Sequence, residues 1–198
     1  GLGAAVVSLS AEKNVDALMG RATAYKDVNL TADNKDKILE LAINGAFSQV
    51  LSVGVGAAIQ SLGSKVNAIA SGDVTAQTGS FALQANNAAS LVNAAGVVAG
   101  SETTAASPVG AVTVYRGRTN AILKSGTVDA AKAANVKANA DKTIQTYTVG
   151  AAGSGKLALS GALTINSLKD VTRAQVLKDA IVKADTMDLT ADSNYRDV

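Results

Sequence analysis

Five stretches of the chain carry residue types that could do chemistry. Gly150-Ala151-Ala152-Gly153-Ser154-Gly155-Lys156 has the Gly-x-x-x-x-Gly-Lys spacing of a phosphate loop. Such a loop needs Ser or Thr next, for magnesium, and then a helix whose N-terminus faces the phosphates. Leu157 follows instead, and the next residues alternate as a strand does, so a Gly-rich turn is expected. Gly54-Val55-Gly56-Ala57-Ala58-Ile59 opens like a dinucleotide fingerprint but lacks the third Gly and lies inside a strand pattern. Asp179, Asp185, Asp188, Asp192 and Asp197 form an acidic run near the end. Their spacing fits neither an EF-hand loop nor the glycine-rich calcium nonapeptide, and a solvated turn face is expected. Tyr115-Arg116-Gly117-Arg118 sets two guanidinium groups beside an expectedly exposed Tyr, which could touch a glycan or a phosphate, or form an ordinary basic turn. Asn29-Leu30-Thr31 is a glycosylation sequon within an expected strand.

Composition removes other classes of chemistry. Cys and His are both absent, which excludes disulfides, thiol nucleophiles, Cys₂His₂-type zinc sites and imidazole acid–base catalysis. The six aromatic residues are scattered singly, so no sugar-stacking platform is indicated, and no paired carboxylates cluster as a glycosidase needs. The chain is therefore expected not to be an enzyme, with no catalytic, cofactor-binding or metal-binding residue assigned. A net charge of +2 is too balanced to imply a nucleic-acid partner. No apolar run is long enough to span a bilayer, so membrane insertion is not expected.

The elements that must position these residues repeat. Leu30-Thr31-Ala32-Asp33 returns as Leu83-Gln84-Ala85-Asn86, Val136-Lys137-Ala138-Asn139 and Leu189-Thr190-Ala191-Asp192, at intervals of 53 residues. A fixed period of this size marks a repeat architecture. A Gly-Ala-aliphatic element recurs too, beginning at Gly3, Gly56, Gly110 and Gly161. Apolar residues make up 47% of the chain but aromatics only 3%, which suits the narrow aliphatic interior of a solenoid. Leu51, Val53, Val55, Ala57 and Ile59 are apolar at alternate positions, as are Leu157, Leu159, Leu163 and Ile165, so each set predicts a strand with one buried face.

Further short alternations are separated by Gly63-Ser64, Ser71-Gly72-Asp73 and Thr78-Gly79-Ser80, which have turn chemistry. The expected fold is all-β, a parallel β-helix (β-solenoid) of about four copies of the 53-residue repeat. The number of short strands predicts two or three coils per period. Val53, Val55, Ile59, Leu83, Leu163 and Leu189 are expected inside, and Asp33, Asn86, Asn139 and Asp192 in a ladder along the axis. A helical array is the rival, because Val171, Ala174, Leu177, Ile181 and Ala184 also share a helix face, Ala130–Lys142 is rich in Ala and Lys, and Asp33 could cap a helix. Such an array would suit a surface-layer or filament subunit. The chain opens mid-pattern without Met and its last copy stops partway. It is expected to be one solenoid piece, 1–198, of a longer array with copies near 1–53, 54–107, 108–159 and 160–198.

Gly54-Val55-Gly56-Ala57-Ala58-Ile59, Val66-Asn67-Ala68, Val74-Thr75-Ala76 and the run Ile181–Asp192 together resemble the passenger repeats of large bacterial exoproteins, the leukotoxin-family and filamentous-haemagglutinin-like adhesins. The resemblance covers nearly the whole chain. Lys132, Asn135 and Pro108 depart from the pattern in the third copy. The resemblance implies a right-handed parallel β-helix, secreted or held at the bacterial cell surface, exported through an outer-membrane secretion partner or a self-encoded barrel. It implies a stalk or adhesive segment that meets a host receptor or glycan. A carbohydrate-active or carbohydrate-binding β-helix is the alternative. Open coil ends would also permit end-to-end self-stacking.

Overall fold

The computed structural model describes residues 1–197 as a two-sheet parallel β-solenoid. Each coil runs along one sheet, turns, and returns along the other. The first coil holds β1 (Leu2–Met19), the short β2 (Ala22–Ala24) and β3 (Val28–Ser48). The second holds β4 (Leu51–Ser71), β5 (Val74–Ala76) and β6 (Phe81–Ser101). The third holds β7 (Thr104–Ala130) and β8 (Ala133–Ser154), and the fourth β9 (Leu157–Lys183) and β10 (Thr186–Asp197). The first sheet pairs β1-β4-β7-β9, with β2 and β5 alongside at one end, and the second pairs β3-β6-β8-β10, every pairing parallel.

The register explains the period. Leu30 lies beside Leu83, Leu83 beside Val136, and Val136 beside Leu189. One 53-residue repeat is thus one coil, not two or three. The strands are correspondingly long: a 21-residue strand such as β4 extends ~70 Å. Gly63-Ser64 does not turn but lies within β4, whereas 72–73 and 77–80 are corners. The coils change over at 49–50, 102–103 and 155–156, a few residues before the sequence-derived boundaries. No helix forms among the described residues, and the helical rival fails because its segments pair with neighbouring strands along most of their length.

Alternation is preserved nearly throughout, but its phase changes along the coil. In β6 the apolar positions Phe81, Leu83, Leu91 and Val97 point inward, as expected for Leu83, which is fully buried. In β4 the buried set is Ser52, Gly54, Gly56, Ala58 and Gln60, and the aliphatic set Leu51, Val55 and Ile59 faces outward, with Val53 half-buried on the same side. Leu163 is in register with Ala57 and Gly110 and is also outward, 60% exposed. The expected inward placement of Val53, Val55, Ile59 and Leu163 is therefore corrected. The physical reason is space: a Cβ added at Gly54 or Gly56 would stand 2.7 or 2.5 Å from the Val97 side chain of the opposite sheet. Only small residues fit where the sheets approach this closely. Leu189 shares the ladder of Leu83 and Val136 but is 49% exposed, because β10 is the edge strand of its sheet.

The interior has three zones. At the end served by the 72–73, 77–80 and 131–132 turns, Phe81, Leu83, Val136 and Val28 pack on Val66, Val74, Leu123 and Val128. At the opposite end a thin seam of Ala42, Ala58, Ala95, Ala111, Val97 and Val109 joins the sheets. Between them lies a smaller apolar group, Leu62, Leu91, Tyr115 and Ile144, beside a polar belt. On the outside, two amide ladders tie successive coils. Asn86 donates to Asp33 (2.6 Å) and Asn139 to Asn86 (3.0 Å). Asn67 donates to Asp16 (2.7 Å) and Asn120 to Asn67 (2.8 Å). The expected Asx stack is thus present through its first three members, and Asp192, which carries no amide donor, ends it.

Candidate functional site

The outer face of the first sheet concentrates cations on three adjacent strands. Lys65 of β4 is in register with Arg118 of β7, and Arg116 of β7 with Lys169 of β9. Alternation sets Arg116 and Arg118 on one face about 6.7 Å apart along the strand, and pairing brings the next strand within about 4.8 Å. The same rows on the first coil carry Glu12 and Asn14. Glu12 lies 3.6 Å from Lys65. Among the described residues no carboxylate reaches ion-pair distance of Arg116, Arg118 or Lys169. Two shallow depressions of about 300 Å³ each flank the cations and share Ser64, Lys65 and Arg116. Like charges in register destabilise a sheet. An oxyanion laid across the strands would relieve that repulsion and accept paired N–H groups from the guanidinium forks.

Arg116 and Arg118 therefore sit on a strand and not in a turn, and Tyr115 is 2% exposed and points inward, so its expected exposure is corrected. Lys65 and Lys169 were not singled out from sequence. The signal was present, since Lys65 and Arg118, like Arg116 and Lys169, stand one 53-residue period apart. The other candidate motifs do not assemble. Gly150–Ser154 completes β8 and Gly155-Lys156 is the change-over into β9, with no helix following. Gly54–Ile59 lies within β4. The acidic run is spread over β9, its turn and β10; Asp188 pairs with Lys137 at 2.8 Å and Asp197 accepts from Asn166 at 3.0 Å. No group of three or more Asp or Glu able to hold a metal gathers among the described residues. Asn29 and Thr31 are exposed at the start of β3.

Beneath the cationic strip, the inward residues form the polar belt. The Asn34 side-chain nitrogen shares its two N–H groups among Asp36 (2.7 Å), Asn87 (3.0 Å) and Ser64 (3.1 Å), the Ser64 hydroxyl donates to Asn87 (3.1 Å), and Lys13 pairs with Asp36 at 2.9 Å. Lys142 is buried, donates to the Asn87 carbonyl, and stands 5.5 Å from the centre of the Tyr115 ring. Burial pulls its pKa down to about 8, against the opposing pull of Asp170 and Asp141. Burial pushes the Tyr115 phenol up, helped by the Asp170 charge. A Cβ on Gly117 would overlap the Asp170 carboxylate and crowd the Tyr115 ring, so a larger residue there would displace both side chains.

Comparison with protein-family models, curated proteins and solved structures finds no significant match.

The belt makes a testable statement about pH. The folded chain releases the Lys142 proton near pH 8, while the unfolded chain holds it to about 10.5. Between these values the unfolded state binds more protons, so stability is expected to rise with pH. Above pH ~10 the unfolded Tyr115 ionises first and stability falls again. Lys142→Met should remove the rising limb and melt above the parent at pH 7, since it replaces a buried cation by an apolar side chain of similar length. Thermal melts from pH 7 to 11 check this; a rising limb unchanged in the variant would refute it.

Proposed function

We propose that the chain is a non-catalytic stalk and contact segment of a large bacterial exoprotein, secreted or held at the cell surface, with acidic polysaccharide bound along the cationic strip. The observation that carries this is the residue-by-residue parallel pairing of each coil on the next, 21 consecutive positions between β3 and β6 and again between β6 and β8. Such stacking makes a stiff body whose length scales with the number of coils, and its outer faces present side chains for contact. The resemblance of the repeat pattern to filamentous-haemagglutinin-like and leukotoxin-family adhesins supports the same assignment, as well as export through an outer-membrane secretion partner. Arg116, Arg118, Lys65 and Lys169 supply the charge that a sulfated or carboxylated glycan requires.

The test is binding of the 198-residue chain to sulfated, carboxylated and neutral polysaccharides. Sulfated and carboxylated chains should bind, more weakly as salt rises. Arg116→Glu with Arg118→Glu should lose at least ~10-fold in affinity, as expected from removing more than about 1.4 kcal/mol of charge-assisted contacts. Circular dichroism should be unchanged, because both residues face outward. Binding that ignores the double substitution, or a preference for neutral sugars, would remove the strip from the proposal. Release of reducing ends would instead establish the carbohydrate-active alternative.

A further inference from the structure

The phase inversion of β4 leaves a large apolar surface outside the solenoid. At the end nearest the 49–50, 102–103 and 155–156 turns, the outer face of the first sheet presents Leu2 and Val6, then Leu51, Val55 and Ile59, then Pro108, Val112 and Val114, then Leu157, Leu159, Leu163 and Ile165. All four long strands contribute. Leu2, Leu159 and Leu163 are more than half exposed. The outward positions in these rows carry no charged side chain. The face is not flat. Pro108, Gly110 and Gly161 form the floor of a shallow hollow walled by Val55 and Leu163. Gly161 has open space above it, since a Cβ there would meet nothing within 4 Å.

We infer that this face packs against the same face of a second copy of the chain. Its extent is about nine residues by four strands, roughly 30 Å by 19 Å. That is about 570 Å² per copy and about 1,100 Å² for the pair, enough for a specific interface and large for an apolar patch left in water. The equivalent patch on the second sheet (Leu39, Leu41, Ile43, Phe47, Val98, Tyr147, Val149) spans three strands. Paired with itself it would bury only about 860 Å², below the usual threshold.

The relief of the first face is self-complementary. A two-fold axis through the hollow puts Leu163 of each copy over the Pro108–Gly110–Gly161 floor of the other, the isologous arrangement of a closed dimer. The same axis sends the two cationic strips to opposite ends, so like charges stay apart and the strips remain open. Insertion of this end into lipid fits less well, because its change-over turns carry Glu102 and Lys156, which hydrocarbon would have to bury. The pair is a four-layered sandwich, with the two new facing layers ~10 Å apart.

The test is light scattering and sedimentation of the 198-residue chain up to ~100 μM. The parent is expected at twice the chain mass. Leu159→Lys with Leu163→Lys, and separately Gly161→Lys, should return it to the monomer mass with unchanged circular dichroism. Ile43→Lys with Val149→Lys, on the second sheet, should leave the dimer intact. A parent that stays monomeric overturns the inference. So does a dimer dispersed only by the second-sheet pair, or one indifferent to both first-face variants. Open-ended growth beyond two copies would show stacking of coil ends in its place.

Discussion

Leu83→Asp is expected to abolish the fold. Leu83 is fully buried in the ladder Leu30, Leu83, Val136 and Leu189 and packs in the largest apolar zone. Removing its side chain alone costs ~2–5 kcal/mol as a cavity. The carboxylate adds several kcal/mol, because no cation faces it from the Phe81, Ala85, Val136 and Val66 cluster. Whole domains are stable by only ~5–15 kcal/mol, so the sum reaches the total. Circular dichroism of the variant should show a chain without its β minimum, or no soluble protein. The parent should show a single broad β minimum. Leu163→Asp is the control. That residue is outward and more than half exposed, so the same chemical change should leave the β signal in place and move stability by less than ~0.5 kcal/mol in the monomer. A folded Leu83→Asp protein would refute the assigned interior.

Gly126→Val is the second large effect. Gly126 has φ of +94° and Gly72, at the corresponding corner of the coil before, +129°. A Cβ on Gly126 would overlap the Gly72 backbone. The corner is fixed by pairing on both sides, with the Gly72 N–H donating to the Ser125 carbonyl at 2.9 Å. Left-handed backbone costs a β-branched residue ~1–2 kcal/mol, and the overlap adds ~1–3 kcal/mol. For a chain of this length that is a drop of about 4–20 °C in melting temperature. Gly153→Val, where a Cβ meets nothing within 4 Å and φ is ordinary, should melt near the parent.

The repeat was legible in the sequence because a coil is one period. Spacing alone gave the parallel stacking, the Leu83 ladder and the Asp33–Asn86–Asn139 stack. The phase of β4 was not legible. Alternation reports that a strand has an apolar face and a small-residue face, but not which of them is inside. Gly54 and Gly56 look like a solvent face until Val97 is known to stand opposite. Coil length was misjudged because Gly63-Ser64 has the composition of a turn, yet Ser64 is an inward member of the polar belt and Gly63 an ordinary strand residue. The cationic strip was half legible. Arg116 and Arg118 stood out as neighbours in sequence, whereas Lys65 and Lys169 join them only when the 53-residue period is applied to charge as well as to aliphatics.

One coil per repeat also sets how the molecule can fold. Every backbone pairing between coils joins residues 51 to 54 positions apart, roughly a quarter of the chain, which is slow topology for a β protein. Closing such a loop costs about 3.5 kcal/mol of chain entropy before any pairing is gained. That cost falls once per coil, after which each further pair is added locally against a strand already in place. Folding is therefore expected to advance as a front, halting at each coil for one closure and then zipping along it. Removing a whole period would delete one halt and leave the others as they were. Removing ten residues from within β6 would misalign β8 above it and stop the front there.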